Sequence, residues 1–284
     1  MIIDFHVHTF PKKIAGAAID SIGREKAGIR PFTDGTPEDL ILSMKKAGID
    51  YSVNLPVPTN MKQMVKLNRL AIETREANRA RGIINFGGIH PQYEDFRTIM
   101  KDLAAGGIRG IKIHPAFMDT SIEDIRCLQV IDYASELDLA VLVHTGIELA
   151  NHEYNYCSVK GILHVIDQVH PRTLILAHMG NLGFWEDVER DLCGAPVWFD
   201  TSFSLGRISR HPLAVKAPFM EDRLSREDFT RIAKKHGTDR LLFGTDSPWG
   251  DQKTDVESIR SLDFTEDEKE KIFSGNALKI LKIS

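Results

Sequence analysis

Cysteine is scarce in this sequence, and long apolar runs are missing. Its three cysteines, Cys127, Cys157 and Cys193, form no close pair, which excludes a disulfide framework or a four-cysteine zinc site and favours a reducing cytoplasm. No apolar run reaches the roughly 20 residues that a membrane-spanning helix needs. The first residues also lack the basic start and apolar core of a signal peptide. We therefore expect a cytoplasmic protein without membrane contact.

A surplus of positive charge is missing as well. Lys and Arg number 36 against 40 Asp and Glu, so the formal net charge is -4, which argues against a nucleic-acid partner bound through its phosphates. No G-x-x-x-x-G-K-[ST] loop and no G-x-S-x-G elbow occurs, which excludes the nucleotide-binding and serine-nucleophile motifs that they mark. With 284 residues, 42% of them hydrophobic, and no Pro/Gly/Ser-rich linker, the chain predicts one domain over residues 1–284.

Eight short apolar runs, rich in β-branched residues, recur along the sequence with helical stretches between them. Most are continuously apolar, which is typical of parallel strands buried on both faces. Eight strand–helix units in roughly 250 residues predict a (β/α)8 TIM barrel. A doubly wound open sheet is the alternative, weakened because no G-x-G-x-x-G turn follows the first run. The runs are Ile2–Val7, Tyr51–Pro56, Ile83–Ile89, Gly110–His114, Ala140–His144, Leu174–His178, Val197–Thr201 and Arg240–Gly244.

Three connections are longer than a barrel needs. They span Thr9–Gly35, Ile147–Lys160 and Ser202–Leu224, and all leave the C-terminal ends of predicted strands, where barrel active sites lie. We expect them to wall or cover a pocket. Capping signals also predict four helix starts, at Thr36 with Asp39, Ser121 with Asp124, Ser225 with Asp228, and Thr265 with Glu268.

Two histidines end the first predicted strand, in Asp4-Phe5-His6-Val7-His8. Alternate side chains of a strand share a face, so His6 and His8 would point the same way and could hold one metal ion or merely line a pocket. The ends of four further strands carry metal-competent or titratable residues, namely Lys112, His114, His144, His178 and Asp246. These ends converge in a closed barrel, and burying such groups without a partner is costly, so a shared metal ion is the stronger interpretation.

These residues resemble those of the amidohydrolase superfamily of metal-dependent TIM-barrel enzymes. Within it the chain is most similar to the amidohydrolase-related branch, which includes aminocarboxymuconate semialdehyde decarboxylases and lactone hydrolases. The resemblance spans nearly the whole chain and does not fix the substrate. The matching segments are Asp4-Phe5-His6-Val7-His8, His144, His178, Gly244-Thr245-Asp246-Ser247-Pro248 and Gly275-Asn276-Ala277.

The resemblance implies roles for five of these side chains. His6 and His8 would bind the metal from the first strand, His144 from the fifth and Asp246 from the eighth. Asp246 would also accept a proton from the activated water and pass it to the leaving group. His178 would bind a second ion or hydrogen-bond that water. Imidazole and carboxylate ligands suit zinc, with manganese and iron as alternatives.

Lys112 leaves two alternatives open. Gly110-Ile111-Lys112-Ile113-His114-Pro115 resembles the cyclic-amidohydrolase segment whose carboxylated lysine bridges two metal ions, with His178 then a ligand. Otherwise Lys112 is a free ammonium that pairs with an aspartate or a substrate carboxylate. The likeness to the single-metal branch favours the second alternative, and one ion over two. His114 shares a face with Lys112 and either lines the pocket or is solvated.

Other residues are weaker candidates. Arg207 and Arg210, after the seventh strand, could clamp a substrate carboxylate, and Trp249 could give the pocket an apolar wall. His164 and His236, within helical stretches, are expected at the surface, the latter as a cation stabilised by the helix dipole.

The sequence thus predicts a metal-dependent hydrolase of a small ester, lactone or amide. The alternative is a metal-dependent non-oxidative decarboxylase of a small carboxylic acid, which would use nearly the same residues. The acidic balance counts against a deoxyribonuclease-like member, and the full ligand set counts against a non-catalytic barrel. A small-molecule substrate is the partner expected. A homo-oligomer is common for barrels of this size, although no residue here indicates an interface.

Overall fold

Short strands alternate with helices along the whole chain. The computed structural model describes residues 1–150, 154–205, 209–213 and 223–283, without the side chains of Arg24 and Glu25. All eight predicted strand runs contain strand, and the third is split in two at Phe86. The strands of this described part are β1 Ile3–Val7, β2 Tyr51–Asn54, β3 Ile83–Asn85, β4 Gly87–Gly88, β5 Gly110–Ile113, β6 Ala140–Val143, β7 Leu174–Leu176, β8 Trp198–Asp200 and β9 Leu241–Leu242.

The strands are parallel and follow one another around a barrel. They pair in the orders β1-β2-β3 and β4-β5-β6-β7-β8-β9, and β3 and β4 belong to the same apolar run. Backbone hydrogen bonds also join β1 to the segment after β9. Phe5 N donates to Phe243 O over 2.7 Å, and Asp246 N donates to His6 O over 2.8 Å. The architecture is therefore the TIM barrel that the strand–helix alternation predicts.

Helices cover the outside of the barrel, apart from the first, which belongs to the first long connection and lines the cavity through Ile14. They are α1 Lys12–Ile19, α2 Pro37–Ala47, α3 Met61–Glu73, α4 Arg75–Arg79, α5 Phe96–Ala105, α6 Ile125–Glu136, α7 Val159–Val169, α8 Trp185–Asp187, α9 Arg226–His236, α10 Gln252–Arg260, α11 Glu266–Glu270 and α12 Asn276–Leu281. None of the described helices is long and apolar enough to cross a membrane.

Three of the four predicted helix starts are confirmed. The side chains of Thr36, Ser225 and Thr265 each accept a hydrogen bond from the backbone N–H three residues on. The start at Ser121 is wrong, because Asp124 caps α6 by accepting from Arg126 N, and the preceding residues form a turn. A carboxylate that reaches a free N–H of the first turn stabilises the helix end, so the helix begins one turn later.

A β-strand irregularity decides which side chains of β1 face the site. The pairing register of β1 with β2 shifts between Asp4 and Val7. Ile3 and Phe5 therefore pack in the barrel interior with residues such as Leu142, whereas Val7 joins the apolar layer beneath the helices. His6 and His8 are thereby turned toward the mouth of the barrel, above the apolar interior.

The three long connections pack together over the C-terminal ends of the strands. Ile29 and Leu149 from the first two and Phe203 from the third form an apolar cluster with Trp249. The first and third connections are also joined by backbone hydrogen bonds, from Arg30 N to Ser209 O and from His211 N to Gly28 O. Within their described residues, these connections wall the space above the strand ends, as predicted.

His236 departs from its prediction as a surface cation. Its side chain is 5% exposed, its ring stacks on Phe199 with the ring centroids 3.7 Å apart, and its Nε2 donates to Val197 O over 3.1 Å. Burial lowers the pKa of His236 to about 4. His236 is thus a neutral histidine of the core, whereas His164 is exposed as expected.

Candidate metal centre and active-site cavity

Three side chains from the two ends of the chain converge at the barrel mouth. His6 Nε2 lies 3.2 Å from His8 Nε2, and Asp246 Oδ1 lies 3.1 Å from His8 Nε2 and 3.6 Å from His6 Nε2. Two donors that bind one ion at about 2.1 Å and near-tetrahedral or right angles lie roughly 3.0–3.4 Å apart. Two of the three separations fall in this range and the third, at 3.6 Å, is slightly longer, so the atoms are spaced close to the ligands of a single cation.

Hydrogen bonds on the far side of each ring fix where the protons lie. His6 Nδ1 is 2.8 Å from Asp200 Oδ2, and His8 Nδ1 is 2.7 Å from Leu55 O. A carboxylate and a carbonyl can only accept, so each Nδ1 carries the hydrogen and each Nε2 carries a lone pair. Two lone pairs and a carboxylate oxygen thus face one point, which is the arrangement that a bound cation requires.

The electrostatics of these groups agree with that conclusion. Burial, and next the charge of Lys112, hold the pKa of His6 well below its ordinary value, so its imidazole is neutral. Burial alone would raise the pKa of Asp246, but the neighbouring His6 and His8 outweigh it and hold the pKa well below the ordinary range. Neutral imidazoles and an ionised carboxylate are the forms that bind a divalent metal. The donor set fits such an ion.

Asp200, at the end of β8, holds His6 and the neighbouring backbone in place through hydrogen bonds. It was not predicted as a site residue from the sequence. Its Oδ1 accepts the backbone N–H groups of His178 and Ser202, both over 3.0 Å, while its Oδ2 orients His6. Ser202 Oγ lies 3.0 Å from Nδ1 of both His6 and His178. The sequence feature that could have identified Asp200 was a carboxylate at the C-terminal end of the seventh apolar run.

Lys112 lies beneath this centre. Its side chain is fully buried, and its Nζ is 3.3 Å from His6 Nε2. Burial lowers the pKa of Lys112 to about 8, although the charges of Asp200 and Asp246 act in the opposite direction. The ammonium therefore points at the same nitrogen that the metal would use.

His144 and His178 adjoin the centre as a linked pair. His178 Nε2 is 3.1 Å from His144 Nδ1, and His178 Nδ1 is 3.0 Å from Ser202 O. His178 therefore carries its hydrogen on Nδ1 and accepts from His144. This leaves His144 Nε2 as a buried lone pair without a hydrogen-bond partner. In the described residues, His144 is closer to His114 and Glu148 than to the three convergent ligands.

Glu148, in the connection after β6, is a second site residue not recognised in the sequence. Its Oε2 lies 3.1 Å from His114 Nε2 and 3.6 Å from His144 Nε2, and its Oε1 accepts from Ala150 N over 2.9 Å. Phe117 N donates to His114 Nδ1, so the ring hydrogen of His114 is on Nε2 and points to Glu148. The only feature of the sequence that could have identified Glu148 was its position four residues after His144.

The predicted substrate-binding residues lie in different places. Arg207 is outside the described residues. Arg210 is exposed, and its backbone forms a bridge with that of Ile29. Trp249 is 8% exposed and lines the cavity above the centre. The cavity has a volume of about 140 Å³, and His8, His114, His144, His178, Glu148 and Asp246 reach its surface.

The chain belongs to the amidohydrolase family, whose sequence model matches residues 3–283. No curated protein sequence matches it significantly. This family is metal-dependent, and the convergent histidines and carboxylates described above supply candidate ligands.

Solved structures of similar fold cover nearly the whole chain. One is 2,6-dihydroxybenzoate decarboxylase from Rhizobium, with 14% identity, a TM-score of 0.72, and coverage of 99% of this chain and 98% of that one. Another is a candidate 2-pyrone-4,6-dicarboxylic acid hydrolase from Pseudomonas putida, with 15% identity, a TM-score of 0.67 and coverage of 99% and 97%. A third is 5-carboxyvanillate decarboxylase from Novosphingobium aromaticivorans with bound manganese, with 13% identity, a TM-score of 0.68 and coverage of 100% and 97%. At these identities the likeness concerns the fold.

Proposed function

We propose that this protein is a metal-dependent hydrolase that uses an activated water molecule to cleave a small ester, lactone or amide. The convergence of His6 Nε2, His8 Nε2 and Asp246 Oδ1 at the base of the cavity carries the proposal. Such a centre lies where water and a carbonyl group can both reach it.

We further propose that His6, His8 and Asp246 hold one zinc ion, with His144 completing the set by turning its unpartnered Nε2 toward the centre. A bound divalent ion supplies Lewis acidity and lowers the pKa of a coordinated water. The manganese-containing relative supports a divalent metal and leaves manganese as an alternative. One ion is favoured over two because the Lys112 ammonium occupies the position next to His6 Nε2.

Side chains around the centre would carry out the proton transfers of the reaction. Asp246 would accept the proton that the attacking water loses and deliver it to the leaving group, because its carboxylate reaches both the centre and the cavity. Once His144 turns toward the centre, Nε2 of His178, which is oriented by the carbonyl oxygen of Ser202, would be free to accept a hydrogen bond from the reacting water. Asp200 keeps the lone pair of His6 directed at the centre.

Non-oxidative decarboxylation of a small carboxylic acid is the second candidate. It is favoured by the named activities of two of the similar structures. Product analysis separates the two reactions: release of carbon dioxide from a substrate without net water uptake would refute hydrolysis.

Both candidate functions require a bound metal ion, so a measurement of metal content tests this shared requirement. We would purify the protein without chelator and measure bound metals by inductively coupled plasma mass spectrometry, beside His6→Ala, Lys112→Ala and the exposed control His164→Ala. We expect about one ion per chain, lost with His6→Ala and retained in the other two variants. Two ions, with one lost in Lys112→Ala, would instead indicate a carboxylated lysine bridge. No metal, even after reconstitution with zinc or manganese, would refute the metal-dependent proposal.

A further inference from the structure

The cavity above the centre is walled mostly by apolar side chains. They come from the first long connection, as with Phe10 and Ile22, from the second, as with Leu149, and from the third, as with Phe203. Trp249 completes the wall. These groups make favourable contact only with an apolar ligand surface, because a polar surface would lose its hydration there without gaining a partner.

The charged and titratable groups of this cavity are concentrated at its base. Among the residues that the structure describes, those lining it include four histidines and the carboxylates Glu148 and Asp246, but no arginine or lysine. Lys112 is sealed beneath the centre, Arg223 lies against the Phe203 ring with its guanidinium carbon 4.3 Å from the ring centroid, and Arg210 is exposed outside the cavity. A substrate carboxylate placed in the upper cavity, away from the centre, would therefore meet mainly apolar side chains.

The volume limits the size of the occupant. At about 140 Å³, the cavity is close to the roughly 150 Å³ of an engineered apolar cavity that binds benzene. One ring or a short aliphatic group would fill it.

We infer that the substrate is neutral and apolar, carrying one hydrolysable carbonyl group on a single ring or a short aliphatic chain. The hydrolysable carbonyl group in this inference rests on the proposed function. The neutral charge of the substrate rests on the apolar walls of the cavity, and its small size rests on the cavity volume. It separates this chain from the structurally similar proteins whose names specify carboxylated aromatic substrates.

Two matched pairs of probes test it. Acetophenone and 4-acetylbenzoate differ by one carboxylate and are not hydrolysed, so their dissociation constants, measured by ligand-observed NMR titration, report the cavity alone. Phenyl acetate and 4-acetoxybenzoate are the corresponding esters, and their kcat/KM values report turnover. We expect at least a tenfold preference for the neutral member in each pair.

A rim substitution supplies the control. Ile14 lines the cavity and is 48% exposed, so Ile14→Arg adds a cation there without burying it. This variant should bind 4-acetylbenzoate at least fivefold more tightly, whereas Ile125→Arg, on the exposed face of α6, should leave its affinity unchanged.

Equal or tighter binding of 4-acetylbenzoate by the unmodified protein, or no binding of acetophenone, would overturn the inference. Selective binding of acetophenone without hydrolysis of either ester or of a lactone panel would refute the proposed hydrolysis while leaving the neutral, apolar preference of the cavity established.

Discussion

Replacing Asp200 by asparagine should weaken metal binding while leaving the barrel folded. Oδ1 of Asp200 accepts two backbone N–H groups, from His178 and Ser202, so the amide oxygen of an asparagine must take that position. The amide NH2 then falls where Oδ2 now lies, 2.8 Å from His6 Nδ1. Because an NH2 group can only donate, His6 must accept on Nδ1 and carry its hydrogen on Nε2.

This change of tautomer places a hydrogen where the metal would bind. His6 Nε2 faces His8 Nε2 at 3.2 Å, and a proton there would satisfy the lone pair of His8 without a metal ion. Removing an outer partner of a metal-binding histidine lowers metal affinity by about 10–100-fold, which corresponds to about 1.4–2.7 kcal/mol. We expect Asp200→Asn to fall within this range.

The assay is competition for zinc against a chromophoric chelator at neutral pH. Asp132→Asn, an exposed position on α6, makes the same chemical change away from the site and should bind metal like the unmodified protein. Circular dichroism would establish that both variants are folded. An unchanged zinc affinity in folded Asp200→Asn would show that Asp200 does not set the tautomer of His6, and that reasoning would be wrong.

Three further predictions concern the catalytic carboxylate, the Glu148 contact and the core histidine. Asp246→Asn should lower kcat at least 10²-fold on any identified substrate with little change in melting temperature, and unchanged kcat would refute its proton-transfer role. Glu148→Ala leaves the Nε2–H of His114 unpaired and should lower the free energy of unfolding by about 1–3 kcal/mol, whereas Glu148→Gln, which retains an acceptor, should cost less; urea titration compares them. The folded-state pKa of His236 is about 4, below the ordinary 6.5. The unfolded chain therefore binds more protons between these values, and stability should fall by about 3 kcal/mol as pH drops from 6.5 to 4. His236→Phe should flatten this dependence, and an unchanged slope would contradict burial of the neutral ring.

Local patterns were enough to predict the strands and their parallel arrangement. The apolar runs are continuous because both faces of each barrel strand are buried, and this property is visible in the sequence. The split of the third run at Phe86 was not visible, because it depends on how that ring packs. A Cβ built on Gly110 would lie 2.2 Å from the Phe86 ring, so these two positions on neighbouring strands are adjusted to each other.

The helix start at Ser121 and the surface position of His236 were predicted wrongly for the same reason. Ser121 and Asp124 are both good capping residues, and only the position of the turn before α6 decides which of them caps. His236 occupies a last helical turn, where a cation is usually favourable, but tertiary packing places it against Phe199. Burial then outweighs the helix dipole.

The sequence by itself determined the barrel, the strand ends that bear the site, and most of its titratable residues, because strand periodicity and the C-terminal ends of parallel strands follow from local pattern. Only the tertiary structure decided how those residues associate. Asp200 contacts His6 across 194 positions of sequence, and Glu148 meets His114 from a connection without regular pattern. Such partners have no fixed spacing, since barrel closure alone brings them together, and the charge and size of the cavity likewise depend on how three irregular connections pack.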